Sequence, residues 1–179
     1  MKTILLHTCC GPCFTSCAKR LLDENYSVTA YFLNDNIDTK TEFCKRLDNA
    51  LSVCDYYGLK LIVNPYNHCN WLKYITGLEK EPEKGARCTK CFEYSLKKSA
   101  EYANAHGFDF FTTTLTVSPH KSSDLIFSIG KKINNFLEIN FKKEDGFKKS
   151  IEISKKLNLY RQKYCGCEFA KAEAMLGKN

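Results

Sequence analysis

An α/β domain, with a mainly parallel sheet covered by helices on both faces, is the fold class this sequence predicts, and three observations predict it. Short apolar or β-branched runs alternate with longer segments whose apolar residues recur at helical spacing. Turn-forming residues such as Asn34-Asp35-Asn36 and Asn64-Pro65 separate them. The strand-like runs lack clean in–out alternation, as expected for strands buried on both faces. The 179 residues suit one domain over 1–179, and a domain of that size buries about 70% of the surface its unfolded chain exposes. No internal repeat or linker interrupts it.

The elements follow in order. Thr3 to Thr8 reads as a buried strand, followed by a thiol-bearing loop with a Gly11-Pro12 turn and then a helix carrying Phe14, Cys17, Ala18, Leu21 and Leu22 on one face. Val28 to Leu33 is a second strand. A long helix with Phe43, Leu47, Ala50, Leu51, Cys54 and Tyr57 on one face should end at Gly58 in the left-handed conformation. Leu59 to Val63 is the third strand. Trp71, Leu72 and Ile75 suggest a short helix, and Gly77 to Gly85 a polar loop. From Thr89 a helix runs to about Gly107, with Cys88 and Cys91 at its start, and Phe108 to Leu115 is the fourth strand. A helical run through Leu125, Ile129, Ile133 and Leu137, an apolar piece at Ile139 to Phe141 and a basic helix from Phe147 to Leu157 complete the chain.

Open parallel sheets bind ligands beyond the carboxyl ends of their strands. Cys9 and Cys10 follow strand one, Asp35 and Asn36 follow strand two, and Ser118 to Lys121 follow strand four, so these groups should collect on one edge. Cys88 and Cys91 reach that edge if strand four lies beside strand one.

Eleven cysteines are the outstanding compositional feature. The amino-terminal apolar run is too short for a signal peptide and no later run approaches a membrane span, so the expected setting is cytoplasmic. In that setting thiols stay reduced, which leaves metal binding or redox chemistry as the explanation. Cys17, Cys44, Cys54 and Cys69 stand singly among apolar residues and are read as small buried hydrophobes. Seven others cluster as Cys9-Cys10-x-x-Cys13, Cys88-x-x-Cys91 and Cys165-Gly166-Cys167.

A Cys-x-x-Cys at a helix start lets both sulfurs face one metal, and the helix dipole favours the thiolates. It fits zinc, an iron–sulfur cluster or a redox dithiol, and Arg87 and Lys90 would further favour the anions. Adjacent Cys9 and Cys10 should diverge in an extended segment, so they fit one tetrahedral ion poorly but could bind different irons of a cluster. Seven thiols exceed the needs of one 4Fe-4S cluster, the first choice here. A disulfide across Cys165-Gly166-Cys167 closes a small ring and is readily reduced, so the pair could store two electrons; ligation of metal is the alternative.

The formal charge is +7, and eight Lys/Arg against three acidic residues between Lys142 and Lys163 put +5 of it in one segment. Such a surface suits RNA, although a solvated helix face accounts for the charge equally well. No dinucleotide fingerprint or Walker-type phosphate loop is present. His7 and His120 could move protons, but a lone histidine at a strand end is more often structural.

Taken together, Cys9-Cys10-x-Pro12-Cys13, Arg87-Cys88-x-x-Cys91-Phe92, Thr113-Thr114-Leu115 with Ser118-Pro119-His120-Lys121, and Tyr160-Arg161-Gln162-x-Tyr164-Cys165-Gly166-Cys167 resemble the QueH family of epoxyqueuosine reductases across nearly the whole chain. Asp35 stands where a proline is common in that family. The resemblance implies a Rossmann-like fold of the HUP/PP-loop type and the last step of queuosine synthesis on tRNA, the reductive removal of an epoxide oxygen. It implies a 4Fe-4S cluster on Cys9, Cys10, Cys88 and Cys91, with Cys165 and Cys167 as a redox-active pair. Another distribution places Cys10, Cys88, Cys91 and one of the late pair on the cluster and a second, mononuclear iron on Cys9 with neighbouring groups. Ser118, His120 and Lys121 are candidates for holding the modified nucleoside, and Tyr160 and Arg161 for contacting the tRNA. An unidentified donor would supply electrons. The rival readings are a zinc-stabilised RNA-binding module without catalysis, which leaves Cys165 and Cys167 without a purpose, and an ATP-dependent thiolation or amidation enzyme, which the missing phosphate loop opposes.

Overall fold

The structure is a computed structural model that describes residues 1–177. Its sheet contains β1 (Thr3–His7), β2 (Ser27–Phe32), β3 (Lys60–Val63) and β4 (Phe110–Thr113), ordered β3-β2-β1-β4 with every pair parallel. The helices are α1 (Gly11–Asp23), α2 (Lys40–Tyr57), α3 (His68–Tyr74), α4 (Ala86–Ala105), α5 (Ser123–Gly130), α6 (Gly146–Lys156) and α7 (Glu168–Met175). The expected Rossmann-like α/β class therefore holds.

Alternation along β1 builds both layers, because successive strand side chains point to opposite faces. Ile4 and Leu6 join Phe14, Cys17 and Leu21 of α1 and Val53 of α2 on one side; Leu5 joins Phe92 and Leu96 of α4 and Ile126 of α5 on the other. All of these except Phe92 are completely shielded from solvent. The strand order places a topological switch between β1 and β4, since the chain works outward from β1 through β2 and β3 before returning to β1's other side. Ligand crevices of such sheets open at that point.

Several local expectations change. The Gly11-Pro12 turn is the first turn of α1, with Cys10 as its N-cap and proline tolerated there because its missing N–H has no intrahelical partner. Gly11 is required by close packing: a Cβ at this position would stand 2.7 Å from Asn49 Cβ of α2. Gly11→Ala should destabilise the protein by about 1–3 kcal/mol, the usual cost of overpacking, measured by urea unfolding. Fourth-strand pairing stops at Thr113, whose hydroxyl accepts the Leu115 N–H at 3.1 Å and starts a single 3₁₀ turn over Thr114–Val117. The run through Leu137 is helical only to Gly130; the chain then turns through Asn135 at φ 64°, and Phe136 bridges to Phe111 beside β4. Ile133 and Leu137 still pack against the core, which explains their apolar character without a helix. The helix bearing Cys88 starts earlier than expected, at Ala86. Gly58 ends α2 at φ 66°, as the sequence indicated.

Of the four isolated cysteines, Cys17 and Cys54 are buried, whereas Cys44 and Cys69 are exposed, correcting the expectation for that pair. Cys44 follows Phe43 on α2, and the helix turns Phe43 inward and Cys44 out.

Candidate metal centre

The Sγ atoms of Cys9, Cys10 and Cys13 lie within 4.8 Å of one another. Adjacent Cys9 and Cys10 do not diverge: their sulfurs are 3.8 Å apart because the chain leaves the strand and enters α1 at Cys10, and one helical turn brings Cys13 back to them. The Thr114 hydroxyl fixes this corner from β4's side of the switch point, accepting from Cys9 N at 3.2 Å and contacting Cys9 Sγ at 3.3 Å. Hydrogen bonds from the Cys13 and Cys9 thiols, together with one from the Gln162 side chain, hold Cys10 well below the ordinary thiol range. The same bonds to Cys10 push Cys9 up to about 12 and raise Cys13. A cation is what would allow all three to ionise.

Next to the trio is a cavity walled by Cys88, Cys91, Cys165, Cys167, His120 and Lys121. Cys88 and Cys91 occupy successive turns at the start of α4. Burial raises Cys91 strongly, with the nearness of the Cys165 sulfur adding to it, and burial also raises Cys88. The carboxyl-terminal thiols arrive because α7 docks on α3 and α4: Cys165, Cys167, Phe169 and Ala170 pack with Trp71, Tyr94 and Cys91. Arg87, 2% exposed, locks that docking. It donates to the Glu79 and Glu81 carbonyls and to Glu173 at 3.3 Å, and its guanidinium covers the Phe169 ring at 4.6 Å. Arg87 is therefore a brace, and its charge also favours the Cys88 and Cys167 thiolates, as the sequence suggested for its neighbouring thiols.

Lys121 joins the two thiol groups electrostatically. Interaction with the Cys165 sulfur, and then with those of Cys9, Cys13 and Cys10, raises its ammonium well above the ordinary lysine value. Lys142, counted with the basic segment in the sequence, points inward and donates to the Lys121 carbonyl at 2.8 Å and Ser123 Oγ at 2.6 Å, fixing the loop that carries Lys121. His120 is exposed at the cavity wall, while Ser118 lies outside that wall and accepts the His120 N–H at 3.3 Å.

Tyr160 and Arg161 also lie outside the cavity wall. The Tyr160 hydroxyl donates to Glu42, its ring lies 4.1 Å from Lys45 Nζ, and Arg161 donates to Ser154 Oγ at 3.0 Å. His7 is structural. Its Nε2–H donates to the Leu33 carbonyl and Nδ1 accepts from Thr113, and burial lowers it to about 4, so it stays neutral.

The sequence did not reveal the roles of Arg46, Trp71, Tyr94 or Asp35. Asp35 is buried, accepting from the Tyr94 hydroxyl at 2.6 Å and from Asn67 N at 2.9 Å, which ties the loop after β2 to α3 and α4. The Asn67 and Tyr94 partners are distant in sequence, so no local pattern signals them. The nearby His68 Nδ1–H donates to the Asp35 carbonyl, and Nε2 lies 3.2 Å from Glu168.

The donor set suits a thiophilic metal: seven thiols in two neighbouring groups, with a cation between them. Trp71 Nε1–H is buried at the cavity wall with no nitrogen or oxygen partner among the described residues and is directed at the Cys91 sulfur, favouring its thiolate form.

The family model for epoxyqueuosine reductase QueH matches residues 4–173. The chain belongs to that family. It is 36% identical over 173 residues to epoxyqueuosine reductase QueH of Haemophilus influenzae, covering 93% of this chain and 71% of the relative. It is 37% identical to the Staphylococcus epidermidis protein of the same name, covering 93% and 75%. The Thermotoga maritima relative is 31% identical, with 97% and 92% covered. Among solved structures, a predicted subunit of tRNA methyltransferase from Methanocaldococcus jannaschii shares the fold, with TM-score 0.55 and 12% identity over 83% of this chain and 75% of that one. Among the described residues, no helix is long and apolar enough to cross a membrane.

Proposed function

We propose that this chain is an epoxyqueuosine reductase that removes the epoxide oxygen from epoxyqueuosine in the tRNA anticodon, leaving an alkene and water. The observation that carries the reading is the convergence of seven cysteines, from three distant segments, on the switch point of the sheet. The reaction consumes two electrons and two protons. A Cys165/Cys167 dithiol supplies both as its S–H bonds break and one S–S bond forms, and an external reductant restores it.

Cys9, Cys10, Cys88 and Cys91 would hold a 4Fe-4S cluster, with Cys13, the third sulfur of the trio, as a further thiolate. A mononuclear iron on Cys9 and its neighbours is the finer alternative. When bound, iron with an open coordination position supplies Lewis acidity toward the departing oxygen and electron transfer. The chain's own groups do the rest. Lys121 presents a positive charge where oxygen acquires negative charge, His120 lines the entrance, and the walls formed by Trp71 and Phe92 exclude water.

The tRNA would meet the exposed Lys148, Lys149, Lys155 and Lys156 of α6, whose buried Ser150 and Ser154 face inward. Affinity should fall steeply with salt, by about tenfold or more between 50 and 200 mM if several phosphates are neutralised; filter binding at both concentrations checks this, and a flat response removes α6 from the interface. Activity itself is tested by anaerobic incubation of the reduced, iron-loaded protein with epoxyqueuosine-containing tRNA, followed by nucleoside mass spectrometry. Loss of one oxygen supports the function; unchanged nucleoside with fully loaded protein opposes it. The zinc-module reading predicts a colourless protein and offers no use for Cys165 and Cys167.

A further inference from the structure

We propose that Arg46 is the positioning residue that clamps the Cys165-Gly166-Cys167 loop in its reactive geometry, an inference that rests on reading Cys165 and Cys167 as the redox pair. Arg46 lies on α2, more than a hundred residues away in sequence, and is 2% exposed. Its Nε donates to Glu42 at 2.7 Å, which holds the guanidinium plane. Nη1 then donates to the Cys165 carbonyl at 2.8 Å and Nη2 to the Tyr164 carbonyl at 3.4 Å, while the Tyr164 ring packs 5.3 Å from the guanidinium carbon.

The neighbouring loop extends the clamp. Asp38 N–H donates to the Gly166 carbonyl at 2.9 Å, so three consecutive carbonyls, from Tyr164 to Gly166, are held from one side. Asp38 is itself fixed by the Tyr164 hydroxyl and by Lys171, each at 2.8 Å. Gly166 adopts φ 153°, and a Cβ there would come within 3.0 Å of Asn36 Nδ2 and 3.4 Å of Arg46 Nη1. Burying a cation is costly unless each of its groups is satisfied. Here it is satisfied by one carboxylate and two backbone oxygens of the loop that carries the thiols. Only a planar fork reaches all three at once; lysine offers a single point of charge.

Closing a disulfide across one intervening residue requires this backbone to move. A clamped backbone resists that movement, so the disulfide is strained, easily reduced and quickly returned to the dithiol. Without the clamp, the loop relaxes around the disulfide, which becomes more stable and harder to reduce back to the dithiol, so the pair is regenerated less readily.

The test compares iron-loaded wild type with Arg46→Lys and with Glu42→Gln/Arg46→Gln, which removes both buried charges. The expected result is a shift of the dithiol–disulfide equilibrium toward the disulfide by about tenfold, a potential about 30 mV lower, read by redox titration with thiol alkylation and mass spectrometry. Turnover should fall with little change in KM for tRNA, and the visible spectrum of the metal centre should be unchanged. Folded variants with wild-type potential and turnover overturn the inference, as does failure of both to fold, which would assign Arg46 to stability alone. Wild-type turnover in the Cys165→Ser/Cys167→Ser protein would instead sink the redox reading itself; an inactive double-serine protein beside wild-type potentials in the Arg46 variants sinks the clamp only.

Discussion

Replacing Cys165 and Cys167 together by serine is expected to abolish conversion of epoxyqueuosine in tRNA while leaving bound iron and visible absorption in place. The two residues line the cavity that also contains Cys88, Cys91, His120 and Lys121, so a substrate there would be within the same enclosure. Burial pushes Cys167 up to about 11, so this thiol keeps its proton at neutral pH. With two S–H bonds, the reduced pair carries the two electrons and two protons the reaction consumes. Serine is close in size and keeps the Cys167 N-cap contact to Ala170 N, so α7 should stay docked. Nucleoside mass spectrometry under anaerobic conditions measures the outcome, with iron content as the control. Full turnover with ordinary chemical reductants would remove the pair from the reaction.

Cys10→Ser is expected to strip most of the iron and its visible absorption, a loss larger than the roughly 10–100-fold in affinity that follows removal of an outer partner. Cys10 is 1% exposed and accepts from Cys13, Cys9 and Gln162, which makes it the sulfur best prepared to meet a metal as thiolate. It is also the N-cap of α1, where the helix dipole favours a negative charge. Iron assay and absorption after anaerobic reconstitution measure the effect. Undiminished iron would move the ligand set to the Cys88, Cys91, Cys165 and Cys167 side of the cavity, and one colourless zinc per chain would favour a structural site.

The two results probe separate parts of one centre. Loss of turnover with retained iron belongs to the carboxyl-terminal pair, and loss of both belongs to the switch-point corner. Lys121 and the Arg87 brace join those parts physically: the lysine charge stands between the thiol groups, and Arg87 holds α7 against the start of α4.

Local patterns were sufficient for the existence and order of the four strands and for the end of α2 at Gly58, and they singled out the thiol clusters. Buried strands announce themselves by composition, a left-handed cap by glycine, and soft metal ligands by spacing. The same patterns misplace Cys44 and Cys69 on the inside and extend α5 to Leu137, because an apolar neighbour or a helical interval does not reveal which way the backbone turns. Only tertiary structure decided that β4 lies beside β1, that Cys10 caps α1 so that Cys13 returns to Cys9 and Cys10, and that Asp35, Arg46 and Trp71 brace the site. Each of these depends on contacts between residues far apart in the chain. Such contacts follow from how both sheet faces are filled, a condition no single segment of sequence contains.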